Sequence, residues 1–370
     1  MKTQAAVLRE AGKAWELTEL ELDDPKAFEV QVQLMASGLC HSDEHIRERA
    51  ELGPSPVRLP IIGGHEGAGI VLKVGPGVTR VKEGDHIVCS YIPACGRCRP
   101  CSTGHQNLCD RGLWAARGCL QDETFRFHGG GEDFGTFCTV GSFSQYTVVS
   151  EYSCVKVDED IPFEVACLVG CGATTGWASA VYAGDVRAGD TVVVFGTGGV
   201  GMNAVQGARL AGAKFLIAVD PVPFKCEQAL RFGATHAFTD PDEAFEKVRE
   251  MTWGQLADKV VVTVGEMDDD VLARAVQMAG KVGTIVATSM GYEASVAVPP
   301  LIGYVRRIQG ALFGNANPLW DIPKLLGLYK SGDMKLKELI TRTYRLDQVN
   351  EGYQDMMDGK NIRGVIVHEH

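Results

Sequence analysis

The sequence predicts an α/β protein of two domains, a β-rich one interrupted by a parallel-sheet one. Three observations predict it. The 370 residues exceed the size of one ordinary domain. The first 160 residues or so carry short alternating runs, such as Glu29–Met35 and Gly69–Val74, between Gly/Pro turns like Gly75-Pro76-Gly77. From about Asp190 the pattern becomes continuous apolar strands separated by helical segments.

Each later element follows in order. Thr191–Phe195 reads as a strand, then a glycine loop and a helix through Leu210. Phe215–Val219 is a second strand, with a helix over Lys225–Phe232, and further strands fit Lys259–Val264 and Gly283–Ala287. This βαβ series requires a parallel sheet. After Phe313 the pattern breaks, leaving a helix near Ile322–Lys330 and a strand near Gly364–His368. That tail is too short to be a domain. It is expected to return to the first one, giving residues 1–172 with 314–370 as one domain and 173–313 as the other.

The chain has 36 basic and 47 acidic residues, a net charge of -11, which disfavours nucleic acid and anionic membranes as partners. No apolar run approaches the roughly 20 residues of a membrane helix, and Met1-Lys2-Thr3-Gln4 leads into a strand-like segment rather than a signal peptide. A cytoplasmic location is expected. In that reducing compartment the 12 cysteines are better metal candidates than disulfide partners.

Gly196-Thr197-Gly198-Gly199-Val200-Gly201 is a GxGxxG loop between a strand and an Ala-rich helix, with Asp220 ending the next strand. Glycines allow close approach to a pyrophosphate, and the helix N-terminus offers unpaired N–H groups. Asp220 would accept both ribose hydroxyls and repel a 2′-phosphate, which favours NAD over NADP. The domain is therefore of the Rossmann type. Lys225 either stacks along the adenosine or is a solvated helix residue.

Cys95, Cys98, Cys101 and Cys109 lie on one short loop, a spacing suited to a closed tetrahedral zinc. An iron–sulfur cluster is the metal alternative, though nothing else suggests electron transfer. Arg97, Arg99 and Arg111 could offset the charge of four thiolates. Cys89, Cys119, Cys138, Cys154, Cys167 and Cys226 lack such spacing and read as core residues. A second ligand set is scattered: Cys40 after a strand, His65 in a glycine-rich turn, and Cys171 before the nucleotide domain. Two thiolates and an imidazole with an open position suit a Lewis-acid zinc that stabilises an alkoxide.

Together, Gly64-His65-Glu66-Gly67-Ala68-Gly69, the four-cysteine lobe, the glycine loop and Asn361-Ile362-Arg363-Gly364 resemble the zinc-dependent medium-chain alcohol dehydrogenases along the whole chain. The resemblance implies a GroES-like catalytic domain, two zincs per chain and NAD(H). It implies that Cys40, His65 and Cys171 ligate the catalytic zinc, with Glu66 behind the metal. Ser42 would take the alcohol proton and pass it through the nicotinamide ribose to His45. Asp43 would orient His65, and Arg363 would contact the pyrophosphate. His41 stands where many relatives carry an arginine on that phosphate, so its contact would be weaker and pH-dependent. Relatives form dimers or tetramers, often by pairing edge strands of nucleotide domains, and a homo-oligomer is expected.

Glutathione-dependent formaldehyde dehydrogenases carry an arginine four residues past the last lobe cysteine. Here that residue is Leu113, with Arg111 and Arg117 nearby. A tighter resemblance is to the actinobacterial nicotinoprotein alcohol dehydrogenases, through Ile92–Cys98, Ser102–Cys109, Ala204–Arg209 and Met251–Gln255. There the nucleotide stays bound, and an external carrier, such as mycofactocin, would reoxidise it. A non-catalytic relative would be expected to lose part of the ligand set or the Ser42/His45 relay, and all of these remain. The resemblance implies an alcohol or aldehyde substrate, whose pocket would include the 46–60 and 110–140 regions. Trp114 and Phe137 either line it or simply pack.

Overall fold

The computed structural model describes residues 1–52, 55–291 and 293–370. Residues 53 and 54, within the expected 46–60 pocket region, lie outside the described residues. The chain divides into two compact units, Met1–Cys171 with Asn317–His370, and Gly172–Ala316.

In the first unit, Lys2–Leu8, Glu16–Leu22, Phe127–Gly129, Glu132–Thr136 and Ile61–Ile62 close into a barrel. Closure removes exposed edges. Beside it lies a seven-stranded sheet centred on Glu29–Gly38, whose neighbours are Glu66–Val74 and the C-terminal strand Arg363–Val367. The central strand is buried almost throughout and is longer than the Glu29–Met35 expected. It continues to Gly38 because both flanking strands pair with its end: Gly38 lies opposite Glu66 on one side and Val365 on the other.

The second unit has one parallel sheet in the order His236–Phe238, Phe215–Val219, Thr191–Phe195, Ala257–Val262, Ala279–Ala287, Arg307–Gly310. Numbered along the chain this is 3-2-1-4-5-6, the doubly wound Rossmann order. Its strands read as continuous apolar runs because helices cover the sheet; Val193, Ile217, Val260 and Ile285 form its buried core with Leu272 and Ala275 of a covering helix. Residues Leu312–Asn315 stay with this unit because Gly314 packs against the backbone of Thr175 and Ser179. Among the described residues, no single helix is long and apolar enough to cross a membrane.

Candidate active site and metal centres

The Gly38–Glu66 register builds the first site. Leu39 and Cys40 follow the central strand, and Cys40 caps the helix His41–Arg49. On the neighbouring strand His65 immediately precedes Glu66. Cys171 follows the helical turn Cys167–Gly170. One donor atom from each of Cys40, His65, Glu66 and Cys171 lies within 4.8 Å of all the others. Cys171, His65 and Glu66 are buried and Cys40 is half-buried.

Cys171 donates its thiol to Cys40, which holds the Cys40 thiol well below the ordinary range and the Cys171 thiol well above it. Two thiols sharing one proton would both ionise on a divalent cation. The donor set fits zinc with three N/S ligands, with a Glu66 oxygen close to all of them.

The side chains around this set are ordered. Asp43, buried in the first helical turn, accepts the Gly64 N–H at 2.7 Å through Oδ1, and its Oδ2 lies 3.0 Å from His65 Nδ1. That contact leaves Nε2 as the ligating nitrogen. Burial pushes the Asp43 carboxyl up, and His65 opposes this. The rings of Phe137 and Tyr91 meet His65 edge-on at 5.2 and 5.7 Å. The Tyr353 hydroxyl donates to the Cys40 carbonyl at 3.3 Å.

Glu66 is ion-paired with Arg363, whose Nη2 also donates to the Leu39 carbonyl at 3.0 Å. Burial brings the Glu66 carboxyl up to about 7 against the pull of the Arg363 guanidinium. The pair passes over Gly38, where an added Cβ would stand 2.8 Å from Arg363 Nη2.

In the lobe, the four sulfurs of Cys95, Cys98, Cys101 and Cys109 lie within 4.8 Å of one another. Burial pushes the Cys95 thiol up, but the peptide N–H groups of Arg97 and Cys98 aimed at its sulfur bring it down to about 6. Backbone donors thus favour thiolate at Cys95, while burial pushes the Cys101 and Cys109 thiols up.

The glycine loop has a clear division of labour. Gly196 sits at φ +83°, nothing lies within 4 Å of a Cβ added at Gly198, and a Cβ at Gly201 would collide with the Gly196 carbonyl. Gly198 therefore leaves room for a ligand, and Gly201 lets the helix Gly199–Leu210 pack onto its strand. Asp220 is buried at the end of Phe215–Val219; it accepts the Thr197 N–H at 2.7 Å and the Val222 N–H at 3.0 Å. Each carboxylate oxygen keeps a second lone pair for a ribose hydroxyl.

Residues 26–159 match the alcohol dehydrogenase GroES-like domain and residues 199–331 the zinc-binding dehydrogenase family. The chain belongs to the zinc-dependent alcohol dehydrogenases. It is 55% identical to the putative alcohol dehydrogenase D of Mycobacterium tuberculosis, across all of both chains. It is also 55% identical to the NDMA-dependent alcohol dehydrogenase of Amycolatopsis methanolica, over 100% of this chain and 99% of that one. The crystal structure of benzyl alcohol dehydrogenase from Acinetobacter calcoaceticus superposes with a TM-score of 0.91 at 30% identity, covering both chains fully.

The other expected positions of this dehydrogenase can be placed residue by residue. Ser42 Oγ lies 3.7 Å from Cys40 Sγ. His45 is half-buried one helical turn beyond the exposed His41, their rings 6.5 Å apart. Lys225 is half-buried in the first turn of the helix Pro223–Phe232. Arg363 meets Glu66 and Leu39, partners that spacing does not suggest. Phe137 is fully buried against His65, while Trp114 is half-buried and Leu113 exposed. The side chains of Arg97 and Arg111 lie over the Tyr152 ring, so the lobe sulfurs receive their peptide N–H groups instead. Gly38, Tyr91 and Tyr353 carry no motif; strand pairing reveals Gly38, and side-chain contacts with His65 and Cys40 reveal the two tyrosines.

Proposed function

We propose that this dehydrogenase oxidises a primary or secondary alcohol, or runs the reverse reaction on an aldehyde, with NAD(H) that stays bound and is recycled by an external acceptor. The observation that carries the chemistry is the Cys40–His65–Cys171 set, buried at His65 and Cys171, with a Glu66 oxygen within 4.8 Å of all three donors. With zinc there and NAD on the glycine loop, the metal would acidify the alcohol and the nicotinamide would take the hydride. Asp43 would hold His65 in the ligating tautomer. Ser42 would accept the substrate proton, and His45, half-buried on the same helix, would release it to solvent. The Cys95–Cys109 lobe would hold a second zinc. Asp220 would bind the adenosine ribose with Lys225 beside it. His41 and Arg363 would face the phosphates, Arg363 while still paired with Glu66.

Retention of the nucleotide is supported by the likeness to the NDMA-dependent enzyme. A peptide-derived carrier such as mycofactocin would be a suitable acceptor. The test is to gel-filter the native protein, denature it and quantify NAD(H) and zinc. The expected result is about one nucleotide and two zincs per chain, with turnover requiring an artificial acceptor. A nucleotide stoichiometry near zero with full activity on added NAD would leave an ordinary NAD-exchanging dehydrogenase. Cys40→Ser should abolish turnover and leave the lobe zinc in place.

A homo-oligomer is part of this reading. The edge strand Arg307–Gly310 of the second unit is exposed along its length, and Val298, Ile302 and Val305 beside it are exposed apolar residues. An unprotected strand edge flanked by apolar side chains suits pairing with a second copy. A cytoplasmic enzyme acting on a soluble alcohol fits the acidic chain, and neither nucleic acid nor membrane is a proposed partner.

A further inference from the structure

Beside the lobe, within the first unit, is a cavity of about 360 Å³. That lies within the size range of small-molecule sites. Its wall includes Lys26, Glu29, Arg97, Arg111, Gln121 and Asp122, with Tyr152 at its base. The two carboxylates are already neutralised. Asp122 pairs with Lys26 at 3.0 Å and with Arg126 at 2.8 Å, and Glu29 is ion-paired with Arg126. Arg97 and Arg111 differ. Among the described residues no carboxylate lies within 4.0 Å of either guanidinium. Arg97 Nη2 donates to the Tyr152 hydroxyl at 2.8 Å, and Arg111 donates to the amide oxygen of Gln121. Their guanidinium carbons lie 5.7 and 5.0 Å from the Tyr152 ring centroid, and Arg80 lies 5.0 Å from it.

Neutral partners and one aromatic ring hold these two cations in place without cancelling their charge. Tyr152 is 7% exposed and Ser150, which accepts from Gln121 at 2.9 Å, is 5% exposed, so both are packed into the wall. Each guanidinium has five donors, and the contacts above use few of them. Both line the same cavity, and a guanidinium offers paired N–H donors that suit a planar or tetrahedral oxyanion. Their guanidinium contacts go to Tyr152 and Gln121, while the lobe sulfurs are met by the peptide N–H groups of the same residues.

We propose that this cavity binds a small molecule through an oxyanion group, a carboxylate or a phosphate, held between Arg97 and Arg111. The exposed Phe28 at its rim offers an apolar surface for the remainder of the ligand. The site is separate from the Cys40–His65–Cys171 set and shares no residue with it.

The test is titration calorimetry on the zinc-loaded full chain with inorganic phosphate in one arm and benzoate in the other. Each titration is repeated on Arg111→Met and Arg97→Met, which keep the apolar stems over Tyr152. Zinc content is measured in parallel. Saturable binding of one probe per chain is expected, weakened at least tenfold in each variant at unchanged zinc content. The stronger arm distinguishes a phosphate ester from an aryl carboxylate as the ligand type. Wild-type protein that binds neither probe overturns the proposal, whatever the variants do. So does binding that survives both substitutions within twofold, or variants that lose the lobe zinc, since the arginines would then serve the metal.

Discussion

Asp43→Asn separates a positioning role at the open metal site from simple packing. The carboxylate accepts the Gly64 N–H at 2.7 Å through one oxygen, and its other oxygen lies in ion-pair contact with His65 Nδ1 at 3.0 Å. An amide of the same shape keeps one acceptor. If it stays with Gly64, an NH₂ group faces His65, and the imidazole must turn its proton toward the metal or lose its partner. Asp43 and His65 are essentially fully buried, so water cannot compensate. Replacing the buried carboxylate that faces a metal-ligating imidazole is expected to cost roughly 10- to 100-fold in metal affinity, or about 1.4–2.7 kcal/mol. The assay is zinc release against a competing chelator, with the four-cysteine lobe as internal reference. One zinc should leave at a 10- to 100-fold lower chelator concentration and the other should not move. Turnover should fall in step, with unchanged circular dichroism. If both zincs resist chelation as in the native protein and turnover stays within twofold, Asp43 does not orient the ligand.

Other expectations follow from the same geometry. Gly38→Ala places a Cβ 2.8 Å from Arg363 Nη2, so the Glu66–Arg363 pair must shift. A loss of about 1–3 kcal/mol in urea-unfolding free energy is expected, and an unchanged midpoint would show that the pair yields freely. His368 is buried, its Nε2 donating to the Ser142 carbonyl at 3.1 Å, and burial pushes its pKa down to about 3. Its folded value lies below the unfolded value of about 6.5, so its contribution is complete above pH 6.5 and is lost as pH falls toward 3. At pH 5 the cost is about 2 kcal/mol; the drop in urea midpoint between pH 7.5 and 5 should shrink in His368→Asn, and an equal drop would argue against it. Ile302→Lys adds a charge beside the exposed edge strand and should yield smaller particles by light scattering with the fold intact. His41→Arg should slow release of bound nucleotide several-fold in a fluorescence dilution assay, and an unchanged rate would remove His41 from the phosphate contact.

Features that depend on neighbours along the chain are legible in the sequence. The four lobe cysteines share one loop between residues 95 and 109, so their spacing nearly specifies the metal geometry. The glycine loop is bounded by a strand and a helix whose apolar periods are readable, and the α/β order follows from the alternation after Asp190. Cys40, His65 and Cys171 are individually weak signals, and only the resemblance of whole-chain motifs to a family groups them. Only tertiary structure decided how they meet, through Gly38 lying opposite Glu66. It alone decided that Arg363 reaches Glu66 from the C-terminal strand, that Phe137 and Tyr91 pack on His65, and that the arginines of the lobe turn onto Tyr152. Loop and helix chemistry is written in contiguous residues. Sheet register joins residues hundreds of positions apart, and its specificity lies in the combined burial of whole strands rather than in any local pattern.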